Sequence, residues 1–187
     1  MRLMIAAAVL IGGCSSGPQP IDWQLNAAQS LQAFQQYYLA GDARAEAEFA
    51  RARSELARTG REDLVGRAEL LRCAVRAASL EFDDCPGFEP LRGGAGQEEL
   101  AYAEYLSGRG KHAAAADPLS RLVAAGVQLK NGTATPALME QAVAVASAQG
   151  WRRPLLAWLG VLEKRAQDAG DSETAARVRR RIDLISG

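Results

Sequence analysis

Residues 61–82 read REDLVGRAELLRCAVRAASLEF, and the apolar positions in this stretch decide the fold. Leu64, Ala68, Leu71, Val75, Ala78 and Phe82 recur every three or four residues and form one face of a helix. Leu70, Cys73, Ala77 and Leu80 form a second face. A helix that is apolar on two sides must pack against neighbours on both, so this segment reads as the inner helix of a layered stack. Leu71, midway along the first stripe, is the expected buried centre of the amino-terminal half. Thr59 followed by Glu62 has the spacing of a capping box at the start of this helix.

The rhythm continues on both sides. Upstream, Asp22 can cap a helix over about 23–40, with Trp23, Ala27, Leu31, Phe34 and Tyr38 on one stripe and Gly41 at its end. A second helix, about 43–58, carries Ala45, Phe49, Ala52 and Leu56. Downstream, the Gly/Pro-rich stretch 83–96 reads as a loop, followed by a helix over about 97–107. A weaker helical stretch covers 111–125, with a possible restart at Pro118 behind Asp117, and 126–134 reads as a loop. Thr135-Pro136 is a cap followed by proline at the first helical position, and that helix stops at Gly150. Pro154 opens the next, which runs to Gly170, and Asp171 or Ser172 caps the last. No convincing alternating strand interrupts the series. The expectation is an all-α domain over 22–187, with about eight helices joined by short connections and neighbours antiparallel.

YLAG at 38–41 returns as YLSG at 105–108, 67 residues later, close to two periods of about 34 residues. Gly41-Asp42 and Gly170-Asp171 each join two amphipathic helices, and GDSETAARVRRRI (170–182) places Gly170, Asp171, Ala175, Val178 and Ile182 in a regular pattern. These pieces resemble tetratricopeptide repeats over about half of the chain. The resemblance implies antiparallel helix pairs stacked as a small α-α superhelix, with a concave groove for a protein or peptide.

The amino terminus carries a different message. Arg2 precedes an unbroken apolar run, Leu3 to Ile11, too short to span a bilayer core, which needs about 20 helical residues. Ile11-Gly12-Gly13-Cys14 resembles the lipobox of bacterial lipoproteins. That resemblance implies a signal peptide over 1–13, cleavage before Cys14, and acyl chains on Cys14. Each buried methylene of such a chain contributes about 0.8 kcal/mol, so several chains hold firmly where one holds marginally. Ser15 is not the aspartate that marks inner-membrane retention in the enteric sorting rule, so the implied address is the periplasmic face of the outer membrane. Residues 14–21 then form a short lipidated tether.

The chain carries 22 basic and 22 acidic residues. A balance near zero argues against a nucleic-acid binder, which shows a basic excess. With Cys14 lipidated, Cys73 and Cys85 remain, and an even pair in an exported protein points to a disulfide, with free thiols as the alternative. A zinc site is disfavoured, because His112 is the only histidine and no paired-cysteine spacing is present. No phosphate-binding, dinucleotide-binding or metalloprotease motif occurs, and neither a cofactor nor a metal is expected. His112 with Ser120 and Asp117 lacks an elbow motif and reads as a surface histidine. The chain is similar in class to the helical lytic transglycosylases, but no glutamate is followed by the serine of their catalytic pair.

Candidate partner-binding residues are therefore surface groups. In the pairs Tyr37-Tyr38 and Tyr102-Tyr105, if Tyr38 and Tyr105 face the core then Tyr37 and Tyr102 are freer to bind. Arg177 and Arg180, in the basic cluster 177–181, can meet an acidic partner or an anionic envelope polymer. The expected function is a non-enzymatic outer-membrane-anchored scaffold or adaptor for an envelope protein or peptide, in assembly or secretion. A peptidoglycan-associated enzyme or enzyme activator is the second reading, and a structural lipoprotein the third.

Overall fold

The computed structural model describes residues 22–187. The expected signal peptide over 1–13, the lipidation site Cys14 and the tether over 14–21 lie outside the described residues. Eight α-helices follow in order: α1 (Asp22–Ala40), α2 (Ala45–Ala57), α3 (Glu62–Ala78), α4 (Gln97–Leu106), α5 (Pro118–Lys130), α6 (Pro136–Ala148), α7 (Arg152–Asp168) and α8 (Ser172–Ser186). A short 3-10 turn, Glu89–Gly94, sits in the α3–α4 connection. Among the described residues there is no strand, and no helix is long and apolar enough to cross a membrane. The all-α class and the helix number are those expected.

α3 is the inner helix. It packs against α1 and α2 on one side and α4 and α5 on the other. Val65, Ala68 and Val75 join the amino-terminal core with Phe34, Tyr38, Phe49 and Leu56, where the Phe34 and Phe49 rings lie 5.1 Å apart. Leu70, Cys73, Ala74, Ala77 and Ala78 join the carboxy-terminal core with Phe88, Leu122, Ala146 and Trp158. The indole Nε1 of Trp158, on α7, donates to the Ala78 carbonyl of α3 at 3.2 Å, which satisfies the one polar atom of the largest fully buried side chain. Leu71 departs from expectation. It is half-buried, because the α3 stripe turns outward there between the two cores. Phe82, at the end of the same stripe, is exposed, since α3 stops at Ala78 and Leu80 takes a left-handed φ of 63°.

Local chemistry sets most boundaries. The carboxylate of Asp117 accepts from the Ser120 amide, the Thr135 hydroxyl from the Leu138 amide, and the carboxylate of Asp171 from the Thr174 amide, so α5, α6 and α8 begin as their caps dictate. The Thr59–Glu62 capping box does not form. Thr59 lies two residues before the cap position, which Arg61 takes, and its hydroxyl instead donates to the Leu56 carbonyl at the end of α2. The expected loop over 126–134 is helical as far as Lys130. Gly126 and Val127 are buried there, and packing against α3 outweighs the weak helix propensity of glycine.

Cys73 and Cys85 form a disulfide with their Cα atoms 5.5 Å apart, and both residues are buried. It ties the loop after α3 back onto the helix, and this loop contains two more left-handed residues, Asp84 and Cys85. Arg153 of α7 closes the molecule. Its Nε donates to the Tyr38 carbonyl of α1 at 2.9 Å, its Nη1 to Glu81 at 3.0 Å, and its guanidinium lies 4.3 Å from the centre of the Tyr38 ring. α1 and α7 therefore touch, whereas in an open solenoid each repeat meets only its sequence neighbours. The helix pairs α1–α2 and α7–α8 turn at Gly41-Asp42 and Gly170-Asp171, with φ of 80° and 72° at the two glycines.

Candidate functional site

The seam between the two cores opens as a groove of about 400 Å³. Leu70, Leu71 and Ala74 of α3, with Leu119 and Val123 of α5, make an apolar floor. Leu119 packs against both cores, which places the groove where the two halves meet. Polar groups ring the opening. Arg67 donates through Nε to Glu99 at 2.6 Å, and Glu98 and Ser120 stand beside this pair. The Glu99 carboxyl is held below the usual carboxylate range by its own backbone N–H and by Arg67.

Tyr102 and His112 form the remaining wall. Their ring centres are 4.9 Å apart in an edge-on arrangement, and His112 also lies 5.2 Å from the Tyr105 ring. The imidazole is held by stacking: among the described residues no hydrogen bond joins it to Ser120 or Asp117. Ser120 and His112 thus share the groove without the nucleophile–base contact that acyl-transfer chemistry uses. Burial pushes the Tyr102 hydroxyl up to about 12, helped by Tyr105 and Asp117 nearby. Its polar tip is therefore a neutral donor at neutral pH, standing over an apolar floor.

The four partner-binding candidates fall in different places. Tyr38 and Tyr105 are buried, and Tyr37 and Tyr102 are half-buried. Tyr102 lines the groove, whereas Tyr37 lies under the Arg44 guanidinium at 4.1 Å, far along the chain from any groove wall. Arg177 lines a second groove, between α6, α7 and α8. Arg180 is exposed on α8 and lines neither. The sequence reading missed Arg67, Leu71 and His112 as wall residues. Leu71 carried a visible signal, an apolar residue midway along the first stripe, but the same signal marks a core position, and only the fold shows it half-buried at the groove. His112 carried none, because its position depends on the irregular segment between α4 and α5.

Cys73, Asp83 and Cys85 offer the only cluster of possible metal ligands among the described residues. The two sulfurs are bonded to each other, and Asp83 is paired with Arg76 at 2.9 Å, so the cluster is already satisfied. No protein-family model matches the chain, and neither a curated protein nor a solved structure does.

Proposed function

We propose that this chain is a binding scaffold, anchored through Cys14 to the periplasmic face of the outer membrane, that holds a peptide segment of an envelope protein in the groove between α3, α4 and α5. One observation carries the reading: an apolar floor of Leu70, Leu71, Ala74, Leu119 and Val123 is ringed by Arg67, Glu98, Tyr102, His112 and Ser120. Concave apolar sites with a few placed polar groups are the usual form of a binding site. The volume of about 400 Å³ suits one or two large apolar side chains of a peptide, whose amides meet the polar rim. The resemblances to a lipobox and to tetratricopeptide repeats support the address and the scaffold role.

Two experiments test it. Metabolic labelling with a palmitate analogue marks the wild type and not Cys14→Ser, and equal labelling of both would sink the anchor. A photo-crosslinking residue at Leu71 captures a discrete protein in cells, while one at exposed Arg51 does not. Ser120→Trp, which places an indole in the groove mouth, abolishes that crosslink. A crosslink that survives Ser120→Trp would place the partner elsewhere.

A further inference from the structure

The neutral sum of charges conceals a polar molecule. Residues 152–187 hold eight basic against five acidic residues, while 22–151 hold thirteen against seventeen. Pairing is just as uneven. Each of the ten arginines from Arg44 to Arg109 forms an ion pair within the chain. On α7 and α8 the pattern breaks. Arg179 is paired with Glu163 at 2.8 Å, but Arg165, Arg177, Arg180 and Arg181 have no carboxylate partner among the described residues. Arg177 donates to the Thr174 hydroxyl at 3.0 Å and acts on the Asp171 carboxylate only at longer range, without an ion-pair contact.

Three of these four, Arg165, Arg177 and Arg181, line one groove of about 370 Å³ between α6, α7 and α8. Its floor is apolar, with Leu162, Ala166 and Val178. Of its two carboxylates, Asp171 is already engaged as the cap of α8. Arg121 of α5 and Arg152 of α7 also lack a carboxylate partner among the described residues, Arg152 donating instead to the Ile185 and Ser186 carbonyls, but only Arg165, Arg177 and Arg181 are brought together, facing one concavity.

We infer that the α6–α8 groove is a second binding site, for a peptide segment that alternates carboxylate and apolar side chains. The arginines supply planar forks that match carboxylates, and the floor takes the apolar residues between them. A peptide fits better than a flat lipid surface, because the cations face into a groove of about 370 Å³ with an apolar floor, which a chain carrying side chains can enter and a planar headgroup layer cannot. Nucleic acid is opposed by the balanced total charge. The site stands apart from the α3–α5 groove and does not depend on it.

The test uses the full chain in detergent and a fluorescein-labelled peptide of alternating glutamate and leucine, read by anisotropy. Saturable binding that weakens with added salt is expected. Arg165→Gln, Arg177→Gln and Arg181→Gln together weaken it by about tenfold or more, and lysine at the same three positions restores part of it. The single variants Arg165→Gln and Arg181→Gln, both at exposed positions, weaken it in the same direction, which keeps the test informative if the triple variant folds poorly. The triple Arg44→Gln, Arg51→Gln, Arg61→Gln, which removes as much charge from paired arginines, leaves binding unchanged. No saturable binding, or equal loss in both triples, overturns the site. So does binding to phosphatidylglycerol vesicles without binding to the peptide.

Discussion

Gly126 is where α5 crosses α3 most closely, and Gly126→Ala tests that crossing. A Cβ at this position would fall inside contact distance of the Ala77 carbonyl oxygen and 3.1 Å from its carbonyl carbon. Both are backbone atoms of α3, so no side chain can swing aside. An ordinary carbon–oxygen contact is about 3.3 Å, which requires the helices to part by about 1 Å. α3 is poorly placed to yield, because Trp158 holds it from α7 through the Ala78 carbonyl. Overpacking of this kind costs about 1–3 kcal/mol. Helix propensity works the other way and contributes about 1 kcal/mol in favour of alanine. Because the obstacle is backbone that must move as a whole, the strain falls in the upper part of that range, about 2–3 kcal/mol, and the net loss is about 1–2 kcal/mol. Gly160 of α7 is the control: it is also inside a helix, but nothing lies within 4 Å of a Cβ there. Gly160→Ala keeps the propensity gain without strain. In a chain of this size about 1 kcal/mol moves the melting temperature by about 2–4 °C. Scanning calorimetry on the full chain should show Gly126→Ala melting about 3–6 °C lower and Gly160→Ala about 2–4 °C higher. If both variants shift upward together, the close crossing is wrong, and the apolar floor shared by Leu70, Ala74 and Val123 loses its frame.

Two further perturbations follow from the same structure. Replacing Cys73 and Cys85 by serine opens a loop with a sequence separation of 12, and the chain-entropy argument gives a loss of about 3 kcal/mol. Urea unfolding should show the midpoint of the variant falling below that of the oxidised wild type, and an unchanged midpoint would mean the loop is held by its other contacts. Tyr102 should ionise near 12 in an ultraviolet absorbance titration, with the step removed by Tyr102→Phe. Because its folded pKa is raised above the ordinary tyrosine value of about 10, the folded state binds its proton longer. Stability linked to Tyr102 is therefore complete below pH about 10 and falls as the pH rises from there to about 12. A Tyr102 step at the ordinary value would show that the groove wall is open to water.

The sequence was most legible where a single local signal sets the outcome. Asp117, Thr135 and Asp171 cap the helices they precede, because each side-chain oxygen needs only an amide three residues on. The double-faced α3 was legible for a related reason: two apolar stripes on one helix leave no arrangement except burial on both sides. Thr59 and Glu62 share the same cap spacing but failed, since the end of α2 competes for the Thr59 hydroxyl. Gly126 misled in the opposite sense. A glycine before Lys130 and Asn131 reads as a helix breaker, yet it is the one residue small enough to let α5 touch the α3 backbone. What decides such positions is the neighbour, and the neighbour is distant in sequence.

The candidate sites follow the same division. Tyr102 and Tyr105, three apart on α4, share one helix face with their ring centres 5.9 Å apart, so helical geometry alone did not separate them; their burial does, Tyr105 lying in the core and Tyr102 at the groove. Arg67 could not be separated from Arg53 or Arg72, all of them arginines on helical surfaces, until their partners Glu99, Glu69 and Glu46 were in view. The basic cluster of α8 shows the consequence most clearly. In the sequence Arg177, Arg179, Arg180 and Arg181 are four similar cations. In the fold Arg179 is consumed by Glu163, Arg180 faces solvent, and Arg177 and Arg181 meet Arg165 across a groove. Charge becomes a recognition surface only where the fold withholds the counter-ion, and that is a property of pairing across helices, not of composition.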